Sequence, residues 1–239
     1  MKKRNFLMVF VLLFVFVGGM TLQINGASLN QAMEYFNDAD YENAASELSD
    51  LIEEGEESWQ AYYFAGLSYN YIGQSETAIP YFRNAYELRP DDYRTVVNYS
   101  RALYRADSYD LAYEVLSDYD GDILDTQYHN LLGLIYMAEE DIEAAESAYL
   151  EAIEYGDNPY VYNNLGLLLL EEGRYEESVE YLAQAVELEP TEAYIYNNYG
   201  LALLNTGAEA EAVEAFEKAL EIDPDYRKAE NNLNRIQGE

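Results

Sequence analysis

Cysteine is absent from the 239-residue sequence, and histidine occurs once, at His129. Without cysteine the chain forms no disulfide and offers no thiolate nucleophile, and a lone histidine cannot build the His and Cys cluster that holds zinc. The sequence also lacks a Gly-rich phosphate loop and a nucleophile elbow. These absences predict that the chain is not an enzyme and has no cofactor, and they favour a packing role for His129.

Basic residues are scarce as well, because 13 Lys and Arg stand against 46 Asp and Glu, a net charge of −33. So negative a surface repels phosphate, which disfavours nucleic acid and anionic membrane surfaces as partners. The acidic excess does not indicate disorder, since 49% of the residues are hydrophobic and the aromatic surface of 26 Tyr and 8 Phe favours burial. The sequence therefore predicts a folded, acidic protein.

The first residues have the pattern of a secretory signal. Lys2, Lys3 and Arg4 form a positive end, and an apolar run follows over 6–17. Export is expected, to the periplasm or the outside, either with residues 1–27 cleaved or with residues 5–24 kept as an anchor in the inner membrane. In the second case this segment is the chain's one contact with a membrane. No cysteine follows the run, so a lipid-modified N-terminus is excluded.

The rest of the sequence repeats with a period of 33 or 34 residues. Within each period the apolar residues follow helical spacing, and turn signals such as Gly173 and Gly207 separate two helices. One helix hairpin cannot bury its apolar face alone, so successive hairpins are expected to stack. We expect the small residues of the two helices to face each other, and the large residues to pack against the neighbouring unit. The first small column is Ala32, Gly66, Ser100, Gly133, Gly166 and Gly200, the second is Ala44, Ala78, Ala112, Ala145, Ser178 and Ala212, and the large column is Leu48, Phe82, Leu116, Tyr149, Leu182 and Phe216.

These columns resemble the tetratricopeptide repeat, whose period is about 34 residues. The stretch "AYIYNNYGLALLNTGAEAEAVEAFEKALEIDP", residues 193–224, is similar to a near-complete unit, and the stretches at 59–90 and 161–190 match well. The resemblance implies an all-α, right-handed superhelical solenoid of six hairpins over 28–225, closed by a capping helix over 226–239. We expect the units to begin near Asn25, Trp59, Tyr93, Thr126, Pro159 and Ala193.

Arginines gather in the third unit, where Arg94, Asn98, Arg101 and Arg105 have spacings of 4, 3 and 4 and lie on one helix stripe. The resemblance places this stripe in the concave groove, where the family binds extended peptides, with Asn on the peptide backbone and basic side chains on carboxylates. It also implies a protein or peptide partner and a non-enzymatic scaffold, which the expected export places in the bacterial envelope. The further groove residues that it implies are Asn164, Asn198, Tyr63, Tyr160 and Tyr194.

Three alternatives remain open at this stage. The arginine stripe is also explained by charge balance between neighbouring units. The array is also compatible with a structural subunit that packs in an envelope complex through its convex face. Finally, Asp118, Asp120, Asp122 and Asp125 surround Gly121, an arrangement weakly indicative of calcium, although its order is not that of an EF-hand loop and a solvated linker between units is the favoured explanation.

Overall fold

In a computed structural model, which describes residues 26–121 and 124–238, the chain folds into 13 α-helices, with no strand within those ranges. The first helices of the six pairs are α1 (Gly26–Asn37), α3 (Trp59–Tyr71), α5 (Tyr93–Arg105), α7 (Thr126–Ala138), α9 (Pro159–Glu171) and α11 (Ala193–Thr206). The second helices are α2 (Tyr41–Glu53), α4 (Ser75–Leu88), α6 (Tyr109–Ser117), α8 (Ile142–Tyr155), α10 (Tyr175–Glu187) and α12 (Glu209–Ile222). The last helix is α13 (Arg227–Gln237).

The helix starts follow local sequence signals. Side-chain oxygens of Asp, Ser or Asn cap several first and second helices by accepting backbone N–H groups, which would otherwise be unpaired. From α3 onward, the first helices begin at the five residues that the repeat pattern gives for units two to six. The capping residues are Asp40, Ser58, Asp92, Asp125, Asp141 and Asn158.

The turn inside each hairpin contains one residue with positive φ, at the same 33- or 34-residue spacing as the columns. Gly73, Gly173 and Gly207 take this conformation without steric cost. In the remaining three hairpins a residue with a Cβ takes it, namely Ala39 at φ 59°, Asp107 at φ 55° and Glu140 at φ 62°. Half of the hairpins therefore carry local backbone strain in this turn.

The two layers of the solenoid differ in spacing. Adjacent first helices contact each other in sequence from α1 to α11, and α11 contacts α13, whereas no two second helices of the described chain contact each other. The first helices are therefore on the tighter, concave side, and the second helices fan out on the convex side. The chain is an all-α solenoid, as predicted, and α13 packs against both α11 and α12 through the fully buried Ala229.

The glycine column faces a different neighbour from the one expected. A Cβ at Gly66 would lie 2.8 Å from the ring of Phe82, and one at Gly133 would lie 2.5 Å from the ring of Tyr149. The large residue thus packs onto the glycine of its own unit, because the missing side chain leaves room for a ring. The expectation that small residues face small residues across the hairpin, with the large residue reserved for the next unit, is wrong at these positions.

Unit three joins unit four through side chains. Its second helix, α6, has 9 residues, against 13 or 14 in the other second helices. The hydroxyl of Tyr128 donates to the carbonyl of Leu116 over 3.2 Å, and the Tyr93 hydroxyl donates to the Asp125 carboxylate. These bonds connect α5, α6 and α7 beside the shortest of the second helices.

Residues 1–25, which hold most of the predicted signal segment, lie outside the described residues. Among the helices that the structure describes, none is both long and apolar enough to cross a membrane. Asp122 and Ile123 also lie outside the described residues, so the predicted calcium loop is untested as a whole.

Candidate functional site

The arginine stripe lies on α5, between α3 and α7 on the concave side. Helix α5 begins after Asp92, whose carboxylate accepts the backbone N–H of Thr95 over 3.0 Å. Arg94, Asn98, Arg101 and Arg105 then follow on one face, as their spacing predicts. Arg94 and Arg105 are exposed, whereas Asn98 and Arg101 are half-buried.

Arg101 and Arg105 are held by neutral groups. The Arg101 guanidinium donates to Oδ1 of Asn98 over 3.0 Å and to Oε1 of Gln127 over 3.2 Å, and Arg105 donates to Oδ1 of Asn70 over 2.9 Å. No carboxylate among the described residues lies within 4.0 Å of either guanidinium. Burial lowers the pKa of Arg101 from its usual value, and the charge of Arg105 lowers it further.

Arg94 is bound differently, against aromatic rings. Its guanidinium lies 5.3 Å from the ring centre of Trp59 and 5.6 Å from that of Tyr63, within range of a cation–π contact. Trp59 and Tyr63 are stacked, with centroids 5.0 Å apart, and Arg89 lies 4.9 Å from the Trp59 ring. The carboxylate of Asp92 is 3.6 Å from Arg94, which is 60% exposed. Of the three stripe arginines, Arg94 alone has an acidic partner within the described chain.

Tyr63 offers little surface to a ligand. It is 5% exposed, because it packs under Trp59 and against Phe64, and its hydroxyl accepts a hydrogen bond from Asn98 over 3.2 Å. Burial raises the pKa of the Tyr63 hydroxyl. The prediction that Tyr63 lines the groove as a contact surface therefore needs correction: its ring forms the floor and positions Asn98.

The predicted Asn164 and Asn198 belong to a continuous row of six amides across α7, α9, α11 and α13. Nδ2 of Asn164 donates to Oδ1 of Asn130 over 3.0 Å, and Nδ2 of Asn198 donates to Oδ1 of Asn163 over 2.8 Å. Asn232 on α13 donates to Asn197 over 2.9 Å, and longer bonds of 3.5 Å join the neighbours within α9 and α11. We call Asn130, Asn163, Asn164, Asn197, Asn198 and Asn232 the amide row.

Every bond of the amide row points the same way. Donation runs from α13 through α11 and α9 to α7, so each inner amide keeps one N–H and one oxygen lone pair for another partner. Asn163 and Asn197 are each 3% exposed, whereas Asn164 and Asn198 are half-buried at the groove. The row therefore ties the C-terminal units together and still offers polar groups to the groove.

Tyr160 and Tyr194 are among the more exposed large side chains, at 41% and 38%. The Tyr160 hydroxyl donates to the carboxylate of Glu192 over 2.7 Å, and this bond raises its pKa. Burial, followed by the charge of Glu192, raises the pKa of Tyr194. Glu192 directly precedes α11, so Tyr160 links unit five to unit six at the groove edge.

His129 is buried, as predicted for a packing residue, with 6% of its surface exposed. Its ring stacks on Tyr155 with centroids 5.0 Å apart, and Nδ1 lies 3.0 Å from a carboxylate oxygen of Glu151. In the part of the chain that the structure describes, no three His, Asp or Glu side chains are grouped so that they could hold a metal ion.

Sequence reasoning missed Asn70 and Gln127, which hold the arginines, and four members of the amide row. A signal for the row exists in the sequence, since Asn doublets recur at 163–164, 197–198 and 231–232. The doublets have the period of the repeat, and the structure shows that such a pair donates to one neighbouring unit and accepts from the other. No comparable signal identifies Asn70 or Gln127.

Family models described as tetratricopeptide repeat match residues 73–135, 126–155 and 163–227, which together cover more than half of the chain. The chain is a tetratricopeptide repeat protein. Among curated proteins, none matches its sequence significantly.

Several solved structures share the fold. A chain of the Cut9–Hcn1 hetero-tetramer of the APC/C aligns with a TM-score of 0.75 and 19% identity over 87% of this chain, which spans only 42% of that chain. PilW, a type IV pilus biogenesis factor, aligns with a TM-score of 0.73 and 17% identity over 88% of this chain and 99% of its own. YrrB, described as having an unusual peptide-binding site, aligns with a TM-score of 0.56 and 20% identity over 79% of this chain and 98% of its own. Such identities show the fold and leave the partner open.

Proposed function

We propose that this protein is a non-enzymatic interaction scaffold of the bacterial cell envelope, which binds an extended segment or chain terminus of a partner protein in its concave groove. One observation carries the proposal. Arg101 and Arg105 lie side by side in the groove with neutral hydrogen-bond acceptors only, in a chain with a net charge of −33. Arginines that served charge balance would have carboxylate partners, as Arg174 has in Glu146 and Glu177.

The neutral part of the groove supports an extended ligand. The amide row leaves N–H groups and oxygen lone pairs free at Asn164 and Asn198, and these suit the backbone of an extended peptide. Tyr160 and Tyr194 provide aromatic surface beside them. Peptide binding by YrrB, which has the same fold, is consistent with such a use of the groove.

The envelope location is supported by the sequence of the first 27 residues, with its positive end and apolar run. PilW, which shares the fold over nearly its whole length, is a pilus biogenesis factor. Both observations fit a scaffold that acts on exported partners.

A second candidate is a structural subunit that packs through the convex face. It is favoured by large apolar side chains that are exposed on second helices, including Leu88 at 51% and Tyr155 at 53%. Both residues end second helices, α4 and α8, and so belong to the other layer of the solenoid from the arginine stripe.

An affinity capture from envelope extract separates the two candidates. The native chain is compared with a variant in which Arg94, Arg101 and Arg105 are changed to Glu. A control carries the same change of charge away from the groove stripe, with Glu at Arg83, Arg227 and Arg235. Loss of one captured protein in the stripe variant alone, with equal helical content in all three, supports the groove scaffold. The same captured proteins in all three would refute it and direct attention to the convex face.

A further inference from the structure

Arg101 and Arg105, the arginine pair, are surrounded by neutral hydrogen-bond acceptors. The chain has 46 acidic residues, yet the atoms that hold Arg101 and Arg105 are the amide oxygens of Asn98, Gln127 and Asn70. An Asp or Glu at position 70 or 127 would have nearly the same shape and would form an ion pair. The neutral amides at positions 70 and 127 therefore leave the charge of Arg101 and Arg105 uncompensated in an otherwise acidic protein.

Asn70 is itself fixed in place. Its Oδ1 accepts the hydroxyl of Ser75 over 3.1 Å as well as the Arg105 guanidinium over 2.9 Å. Gln127 lies in the first turn of α7 and bridges to α5, so that it fixes the Arg101 guanidinium from the neighbouring unit. The two amides orient the guanidiniums and leave their remaining N–H groups for a ligand.

We infer that Asn70 and Gln127 are specificity-determining positioning residues, which keep Arg101 and Arg105 uncompensated so that the pair binds side-chain carboxylates of an acidic segment in the partner. The inference rests on the proposed function and names the chemistry of its ligand. An internal carboxylate at either position would compete with the ligand for the guanidinium.

The charges favour an acidic segment over a lone chain terminus. Arg101 and Arg105 are one helical turn apart, with Cβ atoms about 6 Å from each other, and each carries a full charge. Their mutual repulsion, which contributes to the lowered pKa of Arg101, is relieved fully by two carboxylates and only partly by one. The side-chain amide nitrogen of Asn130 lies at the end of the amide row, one turn after Gln127. It is a further donor, and no group among the described residues accepts a hydrogen bond from it.

The test measures binding of a fluorescently labelled hexaglutamate peptide, blocked at its C-terminus as an amide, at matched ionic strength near physiological. Asn70→Asp and Gln127→Glu are expected to weaken binding by about tenfold or more, because each replaces a free charge-assisted site by an internal ion pair. Their melting temperatures should be unchanged or higher. Asn205→Asp adds the same charge at an exposed position near the end of α11 and should leave binding within about twofold of the native value.

A double-mutant comparison tests whether the effect of Gln127→Glu on binding depends on the Arg101 guanidinium. In the Arg101→Gln background, Gln127→Glu is expected to change the affinity no more than Asn205→Asp does. Native-like hexaglutamate binding by both Asn70→Asp and Gln127→Glu would mean that the amides are only structural, and would overturn the inference. Equal loss in both backgrounds would also overturn it, since the effect would then bypass Arg101.

A second peptide tests the source of the carboxylate. Hexaglutamine with a free C-terminus carries the terminal carboxylate alone and should bind much more weakly than amidated hexaglutamate. Equal or tighter binding of hexaglutamine would overturn the acidic-segment assignment in favour of a chain terminus. Failure of the native protein to bind hexaglutamate would also overturn the inference, while the envelope capture with the stripe variant would still decide the scaffold function by itself.

Discussion

The ring of Phe216 occupies the space beside the Cα of Gly200, so that a Cβ on this glycine would lie 2.6 Å from Cε1 of the ring. Phe216 is fully buried, so a shift of its ring would displace other core side chains. Gly200→Ala is therefore expected to lower the free energy of unfolding by about 1–3 kcal/mol, the usual cost of overpacking. Urea unfolding followed by circular dichroism measures it, with the exposed Glu217→Ala as a control that should change little.

A second substitution tests the cause of that loss. Unit one pairs Ala32 with Leu48, both fully buried, so in that unit a leucine is accommodated together with a methyl group. Phe216→Leu added to Gly200→Ala should cost less than the sum of the two single changes. Additive costs would show that contact with the ring is not the source.

The strained turn of the first hairpin should be improvable. Ala39 is exposed and has φ 59°, a conformation that costs an L-residue with a Cβ about 1 kcal/mol. Ala39→Gly is expected to raise the free energy of unfolding by roughly that amount, less the added entropy of the unfolded chain. The reverse change at the matching position, Gly207→Ala, should lower it. A loss of stability in Ala39→Gly would contradict the assignment of strain.

The amide row predicts that one asparagine side chain stabilises more than its own helix. Asn197→Ala leaves Asn232 without its acceptor and Asn198 without its donor, at a cost of about 1–3 kcal/mol. Hydrogen exchange should show faster opening of α13. Asn205→Ala, which removes a bond to a backbone carbonyl of the same helix, is the control and should leave α13 protected. Equal exchange in both variants would show that the row does not hold α13.

High pH should unfold the protein through its tyrosines. Burial raises the pKa of Tyr136 to about 12, with a further contribution from Tyr113, and a hydrogen bond to Asp157 followed by burial raises the pKa of Tyr162 to about 12. In the unfolded chain the same groups lose their protons near pH 10.

The folded state keeps these protons to a higher pH than the unfolded chain does. The contribution of the two tyrosines to the free energy of unfolding is therefore fully present below about pH 10 and is lost as the pH rises to about 12. Tyrosinate absorbance should therefore rise later than in denaturant, and together with the loss of helical circular dichroism. Full ionisation of the tyrosines with the helices intact would contradict this.

Salt should stabilise the fold. The net charge is −33, and the described residues contain only four contacts between Lys or Arg and a carboxylate, so repulsion outweighs attraction. Raising NaCl from roughly 0.05 to 1 M shortens the screening length from about 14 to 3 Å, and the melting temperature should rise by several degrees. A fall in the melting temperature would mean that the few ion pairs dominate.

The helix order could be read from the sequence because three columns of residues fix it. Small and large residues at one spacing leave little choice of hairpin, and the first helices from α3 onward begin where the columns place them. The identity of the neighbour beside each glycine was less predictable, since Phe82 and Tyr149 sit at positions that serve either their own unit or the next. Only the packing of the folded chain distinguishes these two neighbours.

The candidate site was predictable in part. Helical spacing places Arg94, Arg101 and Arg105 on one face, but it does not say which side chains from other helices meet them. Asn70 comes from the end of α3 and Gln127 from the start of α7, and their contacts with α5 depend on how far each helix is displaced along its neighbour. Burial of Tyr63 depends likewise on Trp59, which stacks on it.

Because the hydrogen bonds of the amide row all run in one direction, units five and six have the same donor and acceptor at their junctions. Each brings a doublet that accepts from the unit after it and donates to the unit before it, so a copy of residues 159–192 inserted after position 192 would meet an acceptor and a donor already in place. The groove could be lengthened in this way by whole units, with the arginine end unchanged. Repeats joined in this way allow the length of the groove to change while the arginine site stays the same.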